Sequence, residues 1–451
     1  MIPQFVRVAA IDNEQAHLDK IYSALVSAGF WAMPFLYDLG SVKPLPPNPY
    51  NGIRIIFTDI HLNDGGMNNM AQQAIAIIAC LKKIVCDGPY FLIFWTKFPA
   101  DAQEVFREII LRSENEELIP PVGFGCIDKG LVLDFEDNPG CLPELLSQLH
   151  QAVERCGALL LSISWEERVS QAATRSTCRL FDLAHQQSSG DSLNTWHELL
   201  AYLSMEAVGE SQAFKAPVAA MDAALLPILE DRLHISAENI AGLNNLLGAQ
   251  FGKGQCSVSK SSLNAHYLIS VLGKETEVLP SNRGVVSVID IKSWDINCLE
   301  LWGASCSEVI SREFFLPGQQ CDGKVLNSLL PCVVTLTPEC DDVQGKVVSF
   351  RYLLGVLIPY SSDLRSLFYS KSKKQYSNLS IFDVGVLSID VGSGLQDYCL
   401  LVSCNRFFAK PTTDLLHVKP TLRLRRATLE ELSHHYATHA RRPGVMRFSV
   451  Y

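Results

Sequence analysis

Four short apolar runs near the start of the chain each end on a residue able to do chemistry. Val6 to Ile11 leads into Asp12, Asn13 and Glu14, and Ile53 to Phe57 leads into Thr58, Asp59, Ile60 and His61. Pro89 to Trp95 leads into Thr96, and Gly123 to Ile127 into Asp128 and Lys129. Two carboxylates, a hydroxyl and an ammonium brought to one place are the equipment for putting a phosphoryl group on a carboxylate. An anion attacking phosphorus is repelled by the phosphoryl oxygens, so a divalent cation and a fixed ammonium must neutralise the developing charge. The elements that would gather these residues are legible in the runs themselves, which are apolar, β-branched and too short to span a membrane. Such runs read as buried strands of a parallel sheet. In open α/β sheets the chemistry sits beyond the carboxyl ends of the strands, so Asp59, closing its strand, stands where a reactive group belongs. A strand-end Asp by itself more often caps a loop; four strands ending in this way carry the functional reading.

With that order of carboxylate, carboxylate, hydroxyl and lysine, residues 1–150 resemble the receiver domain of two-component response regulators, a flavodoxin-like doubly wound α/β fold. The resemblance implies that Asp59 is the nucleophile and becomes a 4-aspartylphosphate. It also implies that Asp12 and Asp59, with the main-chain carbonyl of His61, hold Mg²⁺. Thr96 would bond a phosphoryl oxygen, and Lys129 would pair with the phosphate. Two positions depart from the family pattern. Asn13 stands where receivers usually carry a second acidic residue, which weakens Mg²⁺ binding unless Glu14 reaches in, and Gly130 follows the lysine where proline is usual. Asp59 and Thr96 lie 37 residues apart, and Thr96 and Lys129 lie 33 apart. Both separations exceed the usual ones, implying insertions in the third and fourth βα units.

Composition bounds the rest. At 451 residues, with 48% hydrophobic and 19% charged residues, the chain has material for two or three domains with their own cores. A net charge of -10 argues against broad binding to nucleic acid or to an anionic membrane. None of the 14 cysteines forms a C-x-x-C pair, and Cys80, Cys399 and Cys404 sit inside apolar runs. That is the usage of reduced, buried thiols in a cytoplasmic protein rather than of a zinc site or a disulfide scaffold. Met1 leads straight towards a strand without a signal peptide's basic segment and apolar core, and no uncharged apolar stretch reaches the ~18 residues of a membrane span. A soluble, unexported protein without a membrane partner is expected.

Along the chain, Glu14 to Gly29 carries Leu18, Ile21, Tyr22, Leu25 and Val26 on one helical stripe, and Phe30 to Tyr37 reads as the second strand. The segment Pro44 to Pro49 breaks regular structure where a receiver has its second helix. Further helices are expected over Met67–Val85, Asp101–Arg112 and Leu142–Ser162, the last closing the domain. Residues 151–280 read as a helical linker or bundle, with helices over Trp165–Ala184, Leu193–Met205, Phe214–Leu229, Ala237–Leu247 and Ser262–Leu272. Its 14 acidic against 9 basic residues make a DNA-reading output unexpected. Residues 281–451 change to extended patterning and predict a mostly antiparallel β domain with a C-terminal helix and a basic tail. Thr428-Leu429-Glu430-Glu431 predicts a capping box at the start of that helix. His435 and His439 share a helical face, but without a metalloprotease glutamate or nearby cysteines they predict no metal site. The nine Lys or Arg of 405–451, against three Asp or Glu, could meet an acidic partner, nucleic acid or the chain's own acidic surface.

The whole is similar to the receiver proteins of bacterial antiphage two-component systems of the Detocs type. That resemblance implies a histidine kinase as phosphoryl donor, a separate effector protein, and a role as phosphate sink or regulator rather than as an enzyme. Two alternatives stay open: an enzyme in residues 284–451 switched by the receiver, and a scaffold with an inactive receiver. Against the enzyme, that region holds no Gly-x-Ser-x-Gly, no P-loop and no paired metal motif.

Overall fold

A computed structural model describes residues 7–440, apart from 64–68, 97, 134–139, 141, 155–156, 188–191, 236–256, 273–277, 320–322, 373–374, 393, 415 and 417. The turn at Asp64 to Gly66, the helix expected over Ala237–Leu247, Lys373 and Lys374, and Arg441, Arg442 and Arg447 therefore lie outside the described residues. The chain divides into two compact units, one of residues 1–186 with 227–253 and the other of 187–226 with 254–451. Residues 151–280 contribute to both.

The first unit is an α/β structure. Its elements run β1 (Val8–Asp12), α1 (Gln15–Ser27), β2 (Ala32–Asp38), β3 (Ser41–Lys43), β4 (Ile55–Asp59), α2 (Met70–Ile84), β5 (Phe91–Trp95), α3 (Pro99–Ser113) and β6 (Phe124–Ile127). The sheet order is β3-β2-β1-β4-β5-β6. All neighbours pair in parallel except β3, which is antiparallel to β2. Every residue of β1, β4 and β5 is buried, because helices cover both faces of the sheet; this is why these strands read as unbroken apolar runs. The chain leaves β1 for β2 on one side and returns to β4 on the other. The carboxyl ends of β1 and β4 thus flank the crevice where strand order reverses.

After β6 come α4 (Lys129–Leu133), α5 (Leu142–Glu154) and α6 (Gly157–Gln187). Helices α1, α5 and the start of α6 bury Leu18, Ile21, Leu145, Leu149 and Leu159 against Ala10, Phe57 and Ile93. On the opposite face α2 and α3 bury Ile77, Leu81, Val105 and Ile109 against Ile56, Leu92 and Phe94. The single helix expected over Leu142–Ser162 is helical on both sides of residues 155–156, which lie outside the described residues, and α6, 31 residues long, takes in the expected Trp165–Ala184 helix. Where the second helix of a doubly wound unit would run, residues 39–54 hold the β2–β3 hairpin and a proline loop. Val42, Tyr50 and Ile53 fill the core there instead of a helix.

The second unit is built on an antiparallel sheet. Its strands are β7 (Ile269–Val271), β8 (Val285–Val288), β9 (Leu330–Thr335), β10 (Ser349–Pro359), β13 (Ile381–Asp390), β14 (Leu395–Pro411) and β15 (Lys419–Leu424), while β11 (Tyr369–Ser370) and β12 (Gln375–Tyr376) form a separate small hairpin. The order β13-β14-β10-β9-β8-β15-β7 is antiparallel throughout. Helices Ile291–Trp302 and Cys306–Phe314 pack Trp294, Val309 and Phe314 on one face, and helix Arg426–Ala440 packs Leu429 and Leu432 on the other. The two helices over 291–314 were not anticipated from the sequence, although Ser305 and Glu308 form a capping box there. The capping box expected at Thr428 is corrected: the helix begins two residues earlier, leaving Thr428 buried within its first turn. Much of the described basic end pairs with the chain's own acids, Arg406 with Glu313, Lys410 with Asp414, and Arg426 with Glu339 and Glu430.

Candidate functional site

Register alone brings the four strand-end positions to one edge. Ile11 pairs with Thr58 across β1 and β4, so Asp12 and Asp59, each one residue further on, close neighbouring strands. Asp59 pairs with Trp95 on β5, and Trp95 with Ile127 on β6. Thr96 and Asp128 follow directly, and the Thr96 N–H donates to the Ile127 carbonyl at 3.0 Å. Beneath the edge, the rings of Phe57 and Trp95 stack with centroids 5.2 Å apart, a contact of about 1 kcal/mol beyond area burial.

Lys129 joins the carboxylates. Its Nζ lies 2.9 Å from Asp12 Oδ2 and 2.5 Å from Asp59 Oδ2, and Asp12, Asp59, Thr96 and Lys129 are all buried. The backbone reinforces both acids, since the Glu14 N–H donates to Asp12 Oδ1 at 2.9 Å and the His61 N–H to Asp59 Oδ1 at 3.3 Å. Burial pushes the Asp12 carboxyl above the usual Asp value, with the Lys129 ammonium and the Glu14 N–H working against that rise. Burial also works against the Lys129 ammonium, but Asp12 and Asp59 outweigh it and hold its pKa above the usual lysine value. The three side chains thus form one buried cluster of opposite charges. Thr96 Oγ1 accepts the Phe98 N–H at 2.9 Å, and an open cavity of about 580 Å³ beside it is lined by Pro99, Cys126, Asp128 and Gln148.

The neighbourhood of Lys129 explains how it is held without a following proline. Asp128 Oδ1 accepts the Gly130 N–H at 2.8 Å, and Lys20 Nζ donates to the Leu133 carbonyl at the end of α4 at 3.1 Å. Sequence reasoning missed two side chains here. His17 Nδ1, a buried nitrogen without a hydrogen bond, lies 3.8 Å from Asp12 Oδ1 and 3.5 Å from Glu14 Oε2. Asp101 Oδ2 lies 3.8 Å from His61 Nε2. The signal for His17 was its place on the first turn of α1, facing the strand end that precedes it. The Glu14 carboxylate turns towards His17 and is largely exposed.

Asp12 and Asp59 bring two carboxylates from adjacent strands to this edge, the kind of donor a divalent cation takes. No three His, Cys, Asp or Glu side chains gather as a metal cage among the described residues. Two carboxylates completed by water fit Mg²⁺, which keeps several waters and rarely uses an all-protein cage. The rings of His435 and His439 lie 4.7 Å apart in the other unit and belong to no such group. No helix among the described residues is long and apolar enough to cross a membrane. Compared with models of protein families, with curated proteins and with solved structures, the chain matches none.

Proposed function

We propose that the first unit is a flavodoxin-like receiver domain that accepts a phosphoryl group on Asp59 from the phosphohistidine of a kinase. The observation that carries this reading is the ammonium of Lys129 held between Asp12 and Asp59, from positions 117 and 70 residues away in the chain. An ion trio buried at a topological switch point is costly to fold around, and such an arrangement is expected where charge must be handled during a reaction. In the proposed transfer, a carboxylate oxygen of Asp59 bonds to phosphorus as the phosphorus–nitrogen bond breaks, and the leaving imidazole nitrogen takes up a proton. Lys129 then exchanges its contact with the Asp59 oxygen for one with the phosphoryl oxygens, remaining anchored on Asp12. Thr96, one residue beyond the strand position that pairs with Asp59, donates its hydroxyl to the phosphoryl group once it gives up the Phe98 N–H. Asp12, Asp59 and the His61 carbonyl would hold Mg²⁺, which when bound supplies neutralisation of the phosphoryl charge.

The chain as a whole is proposed to act as a regulator or phosphate sink in a Detocs-type antiphage two-component system, without catalysis of its own and beside a separate effector. Incubation with acetyl phosphate and Mg²⁺ tests the core of this reading by mass spectrometry. One hydroxylamine-cleavable phosphate per chain is expected in the wild type and none in Asp59→Asn. Failure of the wild type to gain phosphate, or retention of it by the variant, overturns the assignment.

A further inference from the structure

A second feature of the first unit lies apart from the acidic trio and does not depend on the phosphoryl reading. Because residues 39–54 form a hairpin and a loop in place of a helix, one stripe of α2 lacks a helical neighbour. Along it lie Gln72, Ile75, Ala79, Lys82 and Lys83, whereas most other positions of α2 are buried. A groove of about 320 Å³ runs here between the hairpin and helices α2 and α3, with Ile75, Ile78 and Ala79 as its apolar floor. Ile75 is 51% exposed.

The hairpin tip beside this groove is built against the interests of folding. Leu39 is 96% exposed and has φ +48°, and the next residue, Gly40, lines the groove. A left-handed backbone costs a branched, non-glycine residue roughly 1–2 kcal/mol, and Asn or Gly would serve this turn better. A leucine that is both strained and solvated gains nothing from the folded chain, which points to a use in contact with something else. The rim supplies the charge. Lys82, Lys83 and Arg112 stand there with Glu116, and the Glu108 carboxylate lies against Arg112. Lys82 pairs with Glu116 and Arg112 with Glu108, while Lys83 is exposed. With Lys82 and Arg112 each paired to a carboxylate, the excess of positive charge at this rim rests on Lys83, on a chain of net charge -10.

We propose that the groove docks an acidic amphipathic helix of a partner protein. Apolar side chains of that helix would lie over Ile75 and Ala79 beside Leu39, and its carboxylates would meet Lys82, Lys83 and Arg112. From Ile75 to Lys82 the stripe is about 10 Å long, which suits a docked helix of two to three turns.

The test uses the full chain and two fluorescein-labelled helical peptides with the same leucine face, one with glutamates on its flanks and one with lysines. Fluorescence anisotropy is expected to give micromolar binding of the glutamate peptide, with the lysine peptide weaker by about tenfold or more. Ile75→Asp and Lys83→Glu, both at exposed positions, are each expected to weaken the glutamate peptide by about tenfold while circular dichroism stays unchanged. Equal affinity for the two peptides, no binding of either at millimolar concentration, or indifference to both substitutions overturns the proposal. So does self-association in sedimentation that Ile75→Asp abolishes, because the occupant would then be a second copy of this chain.

Discussion

At the scale of single residues, Lys129 neutralises charge that burial has cut off from water. In the wild type its ammonium neutralises two carboxylates that are almost without solvent, so removing it leaves buried negative charges uncompensated. Lys129→Met is expected to lower stability at pH 7 by about 3 kcal/mol, read from urea denaturation. The pH dependence of that loss follows from the shifts. The folded-state pKa of Asp12 is raised, so between the ordinary Asp value and the raised one the folded state binds the extra proton, and stability falls as pH rises through that window. The folded-state pKa of Lys129 is also raised, so its contribution is complete below the ordinary lysine value and disappears only as pH climbs beyond it. Without the ammonium, Asp12 should rise further, and the deficit of Lys129→Met is expected to shrink as pH is lowered from 7 towards 5. An unchanged deficit across that range would show that the loss comes from packing.

At the scale of elements, the site depends on how closely the last strand and its helix approach. A Cβ placed on Gly125 of β6 would come within 2.5 Å of the Ala152 Cβ on α5 and 3.1 Å of its Cα. Glycine is required there because the obstacle includes backbone, which cannot rotate away. Gly125→Val is expected to cost about 2–3 kcal/mol in denaturant unfolding and to displace β6, and with it the start of α4 that carries Lys129. Acetyl phosphate labelling of Asp59 should therefore fall in this variant even where the chain remains folded. The connection between β2 and β4 is the converse case: a hairpin and a loop close the core there without a helix, because Val42, Tyr50 and Ile53 fill the volume.

At the scale of the whole molecule, the thiols report on both units at once. Burial raises the Cys80 and Cys404 thiols to about 12 and also pushes Cys332 and Cys399 up. Cys86 and Cys178 are exposed. Iodoacetamide labelling followed by peptide mapping is expected to modify Cys86 and Cys178 in the native protein, and to reach Cys80, Cys332, Cys399 and Cys404 only after unfolding. Early labelling of Cys332 or Cys404 would mean that the antiparallel sheet opens under native conditions.

The sequence by itself determined the parallel strands of the first unit and the identity of the residues at their ends. Strands buried on both faces must be continuously apolar, and a polar residue that stops such a run must sit at the edge of the sheet. It also carried the antiparallel character of residues 281–451, through β-branched and aromatic runs separated by turns. Only the tertiary structure decided that Lys129 bridges Asp12 and Asp59, that His17 faces Asp12, and that 291–314 folds as helices. Contacts between residues about a hundred positions apart depend on strand order and register, and no local pattern encodes these. The helices over 291–314 are short, and their burial comes from the sheet beneath them more than from a long periodic stripe. The start of the last helix was misplaced for a related reason: Thr428 has the chemistry of a cap, but packing against the sheet buries it inside the first turn.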